Sequence, residues 1–297
     1  MPRILVTGAA GMLGAASVDY FHSKGWEIHA LARNNQVGSP EKCASIHYAK
    51  IEDGEELTTI VQSLSPLDMV LHGAALTNLE RCEADFKAAI NVNTIGTLNL
   101  VNALKNSRDR GGMPLVVYIS SDAVYPDIEG RKSENTPVAP ASNYGTSKLW
   151  GETVALREWV KSLVLRTTIV GDAKHQFAGW VLATARASGH MKLFTDVLFS
   201  PLFVGDLCRL IETAYDRRLT GLFNAGSADS ISKADFALKL LERAGLSPSF
   251  ELTSLMGQQL VTPRSLNMAL DSTAFYKALE ASPFSANDAI NHLEIRS

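Results

Sequence analysis

The chain has 297 residues, of which 46% are hydrophobic and 20% charged, and its 31 acidic and 28 basic side chains give a net charge of −3. This composition is that of an ordinary globular protein and excludes a disordered chain. A nucleic-acid-binding protein needs a basic face, and the sequence contains no cluster of basic residues that would form one. We therefore expect no nucleic-acid partner.

No apolar run approaches the roughly 20 residues that are needed to span a bilayer. The N-terminus lacks the layout of a signal peptide and leads directly into a strand. The cysteines, Cys43, Cys82 and Cys208, are far apart and have no metal-site or disulfide spacing. The sequence thus predicts a cytoplasmic protein with reduced thiols, no membrane association and no metal ion.

Short β-branched runs alternate with helical stretches through the first two-thirds of the chain. The predicted strands are Arg3–Val6, Glu27–Ala32, Ile46–Tyr48, Met69–His72, Leu115–Ile119 and Leu163–Arg166. The predicted helices are Leu13–Lys24, Leu57–Leu64, Ala84–Lys105 and Tyr144–Lys161. This alternation is typical of βαβ units, so we predict an α/β fold with a Rossmann-type, doubly wound parallel sheet.

The regular alternation of predicted strands and helices ends after Gly171. A helix is predicted at Ala178–Ala187, another at 205–216, and a third after Ser232 that ends at the Gly/Pro/Ser break 245–249. We predict two units, a dinucleotide-binding domain that contains the sheet and a smaller C-terminal substrate lobe that closes over the sheet. The dinucleotide-binding domain comprises 1–171 and 205–231, and the substrate-binding lobe comprises 172–204 and 232–297.

A glycine motif, T-G-A-A-G-M-L-G, directly follows the first predicted strand and opens a helix, with Gly8, Gly11 and Gly14 at its fixed positions. Glycine permits the tight turn and lets the backbone approach a pyrophosphate at the positive end of the helix. Because strand, motif and helix coincide, the motif predicts a dinucleotide site.

The second predicted strand ends in Leu31-Ala32-Arg33, where NAD-binding proteins usually place a carboxylate for the ribose 2′-hydroxyl. An arginine at this point suits a 2′-phosphate, which a planar guanidinium can bind bidentately. The alternative is an exposed surface arginine. We expect NADP(H) as the cofactor and NAD(H) less so.

Tyr144 and Lys148 are four residues apart, so one helix face presents both. A tyrosine with the ordinary pKa of about 10 is a poor proton donor and acceptor at neutral pH, and a nearby ammonium is expected to lower that pKa. Ser121 follows the strand Leu115–Ile119 and lies at the strand end where open α/β sheets bind ligands. Its hydroxyl can donate a hydrogen bond to a substrate carbonyl oxygen.

These segments resemble the extended short-chain dehydrogenase/reductases over nearly the whole chain. The superfamily motifs are those at 7–14, 72–75, 91–100, 119–125 and 144–148. Further segments resemble the dTDP-4-dehydrorhamnose reductase branch, at 76–83, 134–140, 165–171, 196–207 and 264–271.

The resemblance implies three catalytic residues, Ser121, Tyr144 and Lys148. It also implies a cofactor site in which Tyr144 and Lys148 take part, with Arg33 at the 2′-phosphate. The other residues expected to line that site are Gly8, Gly11, Met12, Leu13, Gly14, Ala74, Ala75 and Asn93. Substrate contacts are expected from Ser121, Asp122, Ile169 and Arg264.

Some positions depart from the branch or stay open. Ile169 stands where rhamnose-pathway members usually have a tryptophan beside the sugar, and Lys50 replaces the aspartate that normally touches the adenine. For Arg264, a position near substrate phosphates and a surface salt bridge are equally compatible with the sequence, and Glu83 has a possible structural role.

The resemblance implies an NADP(H)-dependent reductase of the 4-keto group of a nucleotide-linked deoxysugar. One alternative is a nucleotide-sugar epimerase or dehydratase, which usually retains NAD; Ala32-Arg33 argues against it. A second is a non-catalytic NADP-binding regulatory subunit, against which the intact Ser121, Tyr144 and Lys148 argue. The helical face around 84–105 also allows a homodimer.

Overall fold

The computed structural model describes residues 1–34, 36–64, 66–107, 112–171, 176–187, 189–258 and 264–295. Its strands are β1 (Arg3–Thr7), β2 (Glu27–Ala32), β3 (Ser45–Tyr48), β4 (Met69–His72), β5 (Leu115–Ser121), β6 (Ser162–Thr167), β7 (Ile169–Val170), β8 (Met191–Phe194), β9 (Leu198–Phe199), β10 (Leu202–Phe203), β11 (Gly221–Ala225), β12 (Ile231–Ser232), β13 (Phe250–Thr253) and β14 (Asn267–Met268).

The helices lie between these strands and after them. They are α1 (Met12–Ser23), α2 (Gly54–Leu64), α3 (Leu79–Ala84), α4 (Phe86–Ile90), α5 (Gly96–Asn106), α6 (Asn143–Glu158), α7 (Gln176–Arg186), α8 (Val204–Asp216), α9 (Lys233–Ala244), α10 (Thr273–Leu279) and α11 (Ala286–Asn291). A π-helical turn, Asn91–Ile95, joins α4 to α5. Within the described residues, no helix is both long and apolar enough to cross a membrane.

The described part of the chain contains a seven-stranded sheet in the order β11-β6-β5-β4-β1-β2-β3, in which every neighbouring pair is parallel. The strand order reverses between β1 and β4, because β2 and β3 lie on one side of β1 and β4 to β6 on the other. This topology confirms the predicted doubly wound Rossmann-type sheet. A crevice at the carboxyl ends of the strands forms at such a reversal.

Apolar side chains cover both faces of the sheet. One core cluster packs α1, α8 and α10 beneath it, around Phe21, Ile211 and Phe275. The other packs α2 and α5 on the opposite face, around Leu57 and Leu100. Burying both faces explains why the central strands are almost continuously apolar.

A separate core belongs to the smaller lobe, where α7, α9 and α11 pack around Phe199 and Phe236. We propose the division predicted from the sequence, with boundaries after 171, 204 and 231. It places α10 in the lobe segment, although Phe275 and Leu279 of this helix pack beneath the sheet.

The predicted strand bounds at β2 and β4 match the structure, whereas two predicted helices differ from it. The helix predicted at Ala84–Lys105 starts two residues later, at Phe86, because the Asp85 side chain accepts a hydrogen bond from the Ala88 amide and caps α4. The helix predicted to end at Lys161 ends at Glu158. Trp159 takes an extended conformation there and donates from its indole to the carbonyl of Pro114 at 3.0 Å.

Candidate active site

A cleft of about 400 Å³ lies over the strand ends where the sheet order reverses. Backbone and small side chains from the loops after β1, β2 and β4 form most of its walls. The predicted cofactor residues that line it are Gly8, Gly11, Arg33, Ala74 and Ala75. The structure thus brings together residues from three separate segments of the chain.

The glycines of the motif leave room for close backbone packing. Gly8 has a φ of +71°, and a Cβ there would lie 2.8 Å from the amide nitrogen of Ala74. A Cβ on Gly14 would lie 2.2 Å from the Gly8 carbonyl oxygen. Gly11 starts α1 without a side-chain cap, and the first turn carries no acidic residue. The helix N-terminus therefore keeps amide donors for an anionic group, which fits a dinucleotide pyrophosphate.

Three other predicted cofactor residues lie behind the cleft wall. Leu13 is buried in the core beneath the sheet, and half-buried Met12 packs directly against Gly171. The Asn93 side chain accepts from the amide of Leu76 at 2.7 Å and donates to the Ser147 hydroxyl at 2.8 Å. Because its polar atoms bind protein groups, Asn93 joins the loop after β4 to α6.

Tyr144 and Lys148 lie in the first turns of α6, which is capped by the Ser142 side chain. The helix packs closely on the end of β5, because a Cβ on Gly145 would lie 2.2 Å from the Ala123 carbonyl oxygen. This close approach brings the first turn of α6, which carries Tyr144, next to the end of β5, which carries Ser121. We call the end of β5 and the first turns of α6, which carry the predicted catalytic residues Ser121, Tyr144 and Lys148, the catalytic corner.

Burial changes the acidity of both helix residues. It raises the pKa of Tyr144 to about 12 and lowers the pKa of Lys148 to about 7. The lowering of the Tyr144 pKa expected from the sequence is therefore not seen in this structure, because burial is the largest influence on the phenol. The Lys148 ammonium lies 4.2 Å from the centre of the Tyr118 ring.

Asp122 holds Ser121 in place. The Ser121 hydroxyl donates to Asp122 Oδ1 at 2.9 Å and accepts from the Ala123 amide at 3.2 Å. The second carboxylate oxygen of Asp122 accepts from Thr168. Burial raises the pKa of this carboxyl, although the two hydroxyl donors oppose that shift. The orientation of the Ser121 proton is therefore coupled to Asp122.

The structure adds a buried ion pair that the sequence reasoning missed. Glu152 lies one turn after Lys148 on α6 and accepts from the Arg166 guanidinium at 2.9 and 2.7 Å, as well as from Ser120 at 2.5 Å. Its negative charge opposes the burial-induced lowering of the Lys148 pKa. The spacing of four residues from Lys148 was the available sequence signal.

A second cavity, of about 720 Å³, lies between the catalytic corner and the smaller lobe. Ala123 and Ser142 line its inner side, and Phe177, Trp180 and Lys233 line the lobe side. It adjoins the first cleft along one loop, because Asn78 lines the cleft and Leu79 the cavity. We call the two the cofactor cleft and the substrate cavity.

Of two predicted substrate-binding residues, Arg264 lines the substrate cavity and Ile169 does not. Arg264 lines the substrate cavity and also donates to Glu80 at 2.8 Å, with both side chains about half exposed. The location of Arg264 is thus compatible with both roles considered from the sequence, a contact with substrate phosphates and a surface salt bridge. Ile169 pairs with Leu202 and packs against the core beneath the sheet. It is not among the residues that line the cavity in the described part of the chain.

The fold and this site define an oxidoreductase of the extended short-chain dehydrogenase/reductase class, as the motifs predicted. The chain belongs to the RmlD substrate binding domain family, whose profile matches residues 2–293.

Individual relatives cover most of this chain. A probable low-salt glycan biosynthesis reductase, Agl14 of Haloferax volcanii, is 28% identical over 84% of this chain and 83% of its own. The dTDP-4-dehydrorhamnose reductase of Aggregatibacter actinomycetemcomitans is 22% identical over 99% of this chain and 98% of its own. A crystal structure of the dTDP-4-dehydrorhamnose reductase of Bacillus anthracis, in complex with NADP, has a TM-score of 0.84 at 21% identity, covering 99% of this chain and 98% of that one.

Proposed function

We propose that this protein is an NADP(H)-dependent reductase of the 4-keto group of a nucleotide-linked deoxysugar. The observation that carries the proposal is the close packing of the end of β5, which carries Ser121, on the first turns of α6, which carry Tyr144 and Lys148; the adjacent residues Ala123 and Ser142 line the substrate cavity. Family membership and the reductase names of the relatives support the same reaction.

The cofactor cleft fits NADP(H). The backbone at Gly8, Gly11 and Gly14 leaves space where a side chain would fill it, next to the donors of α1. Arg33 lines the same cleft and is exposed, so its guanidinium is accessible to a 2′-phosphate. Bound NADPH would supply the hydride that reduces the keto carbon.

Tyr144 donates the proton that the reduced oxygen needs. Because its pKa is about 12, the phenol is protonated at neutral pH, which is the form required of a proton donor. Ser121 orients the keto oxygen toward that phenol. Lys148 binds the cofactor ribose and stabilises the phenolate that remains after proton transfer.

The substrate cavity takes the nucleotide sugar. Ala123, which directly follows Asp122, lies at its inner end, and Arg264 lines it beside Glu80. We propose that the sugar lies against the inner end and the nucleotide toward the lobe. The cavity volume of about 720 Å³ is within the usual range of small-molecule sites.

The reductase is tested by incubating the protein with NADPH and a panel of nucleotide-linked 4-keto sugars. Absorbance of the reduced nicotinamide should fall with one sugar of the panel and stay constant with Tyr144→Phe. Conversion of a sugar without net NADPH consumption would instead indicate an epimerase or dehydratase. Tight NADPH binding without turnover of any sugar would favour the regulatory subunit.

A further inference from the structure

Lys233 has no role in the reaction described so far, although it lines the substrate cavity. It is the first residue of α9, directly after the capping residue Ser232. Its ammonium lies 3.6 Å from the centre of the Phe199 ring and 4.5 Å from that of Phe177. Two aromatic faces therefore surround a charge that has little contact with water.

The other two cations of the cavity have carboxylate partners, and Lys233 has none within the described residues. Arg264 binds Glu80 at 2.8 Å, and Lys192 lies 3.8 Å from Glu251. No hydrogen bond or ion pair of the Lys233 ammonium is seen among the described side chains. The nearby carboxylate, Asp122, is occupied by Ser121 and Thr168.

The charged form of Lys233 is disfavoured in this position. Burial lowers the pKa of Lys233 to about 8; the charge of Asp122 opposes that shift and the charge of Arg264 adds to it. Contacts with aromatic faces offset part of the lost hydration but do not replace hydrogen-bond acceptors. This environment therefore suits the binding of an anionic group that enters the cavity.

We infer that Lys233 binds the diphosphate group of the nucleotide-linked substrate. The inference rests on the proposed function and adds a specific binding residue to it. A compact ammonium with three donors suits phosphate oxygens, which accept from several directions. Lys192 and Arg264 add positive charge along the same cavity. The stacked rings of Phe177 and Trp180, 5.9 Å apart, extend from the ammonium along the wall as an apolar surface for a base.

The test measures binding without turnover. Calorimetric titrations use the 5′-diphosphates of thymidine, uridine and guanosine, together with the matching nucleosides, on the NADPH-loaded protein. Lys233→Met keeps the length of the side chain and removes its charge. It should weaken the diphosphate that binds best by about ten- to hundredfold, as expected for a charge-assisted hydrogen bond, and leave its nucleoside unchanged.

Two further variants act as controls. Lys233→Arg should keep the diphosphate affinity within about threefold, because it retains the charge. Lys239→Met removes an exposed cation of α9 that is not among the residues lining the cavity, and it should change the affinity by less than about threefold. Diphosphate affinity of the unchanged protein should also fall between pH 7 and 9, whereas in Lys233→Arg it should stay flat.

The inference is overturned if no diphosphate binds, or if Lys233→Met weakens nucleoside and diphosphate equally. Equal weakening would show that the residue only supports the shape of the lobe. An unchanged NADPH affinity in each variant verifies that the protein is folded. If diphosphate binding depends on Lys233 but no sugar is reduced, only the proposed reductase activity is contradicted. If a sugar is reduced but diphosphate binding does not depend on Lys233, only this inference is contradicted.

Discussion

The cofactor cleft and the substrate cavity are built in different ways. The cleft is formed by backbone and small side chains that follow β1, β2 and β4, three neighbouring strands of one sheet. The cavity is lined by cationic, aromatic, aliphatic and small polar side chains from segments as distant as Leu79 and Met268. The first depends on the shape of the backbone, and the second depends on which side chains the lobe carries.

This difference predicts how each site responds to substitution. An added methyl group in the cleft meets backbone atoms that cannot move aside, so binding is lost together with stability. A changed side chain in the cavity alters the affinity for one part of the ligand and leaves the fold intact. The corner that carries Ser121, Tyr144 and Lys148 adjoins the cavity through Ala123 and Ser142, and we expect substitutions there to change the rate more than the affinity.

The largest effect is expected for Tyr144→Phe, which keeps the ring and deletes the proton donor. Loss of general acid catalysis should lower kcat by a factor of about 10²–10⁴, while the NADPH Kd stays unchanged. Stopped-flow absorbance and a fluorescence titration measure the two quantities separately. Lys148→Met should lower kcat and weaken NADPH as well. Near-normal turnover by Tyr144→Phe would mean that another group protonates the substrate.

Gly14→Ala should abolish NADPH binding and destabilise the fold by about 1–3 kcal/mol, because the new Cβ has no space. It would lie 2.2 Å from the Gly8 carbonyl oxygen. Gly38→Ala is the control, since its Cβ would meet only the Ala15 Cβ, at 3.8 Å. Thermal unfolding and NADPH titration should separate the variants. Equal behaviour would show that the cleft backbone is more adaptable than the structure indicates.

Arg33→Ala should remove most of the preference for NADPH over NADH. A charge-assisted contact with the 2′-phosphate is worth about 1.5–3 kcal/mol, so NADPH should bind about tenfold or more weakly, with NADH nearly unaffected. Arg157→Ala, an exposed arginine of α6 outside the cleft, is the control. A native protein that binds both cofactors equally would contradict the assignment of Arg33.

Acid should destabilise the protein through His72, which lies behind the cofactor cleft between the hydroxyls of Thr7 and Thr97. Burial lowers its pKa to about 3. In the unfolded chain this imidazole binds a proton near pH 6.5, whereas in the folded protein it stays neutral down to about pH 3. The folded state therefore has its full stability above pH 6.5, and its free energy of unfolding falls between pH 6.5 and pH 3 by up to about 1.4 kcal/mol per pH unit. Urea unfolding should show a shallower pH dependence in His72→Asn than in the native protein or in His190→Asn.

The smallest effect is expected for Arg264→Ala. Its guanidinium is half exposed and already paired with Glu80, so a phosphate contact at this position is screened by water. KM for the nucleotide sugar should rise by about two- to fivefold at unchanged NADPH affinity. A lowered NADPH affinity at constant KM would place Arg264 in the other site.

The sequence predicted the local elements better than their interruptions. The strands Glu27–Ala32 and Met69–His72 match the structure, because buried parallel strands are marked by continuous apolar runs. The cap at Asp85, which moves the start of the predicted helix to Phe86, was missed, since an aspartate in a helical pattern is a cap only if the chain turns there. The π-helical turn at Asn91–Ile95 was missed too; in this turn Asn93 binds Leu76.

The sequence by itself determined the fold class and the cofactor motif, and it singled out Ser121, Tyr144 and Lys148. The glycine and catalytic motifs carry their geometry within a few residues, so spacing alone predicts them. The tertiary structure decided the acidity of Tyr144, the pairing of Glu152 with Arg166 and the environment of Lys233. Burial and charge pairing depend on residues that only folding brings into contact, and no local pattern records them.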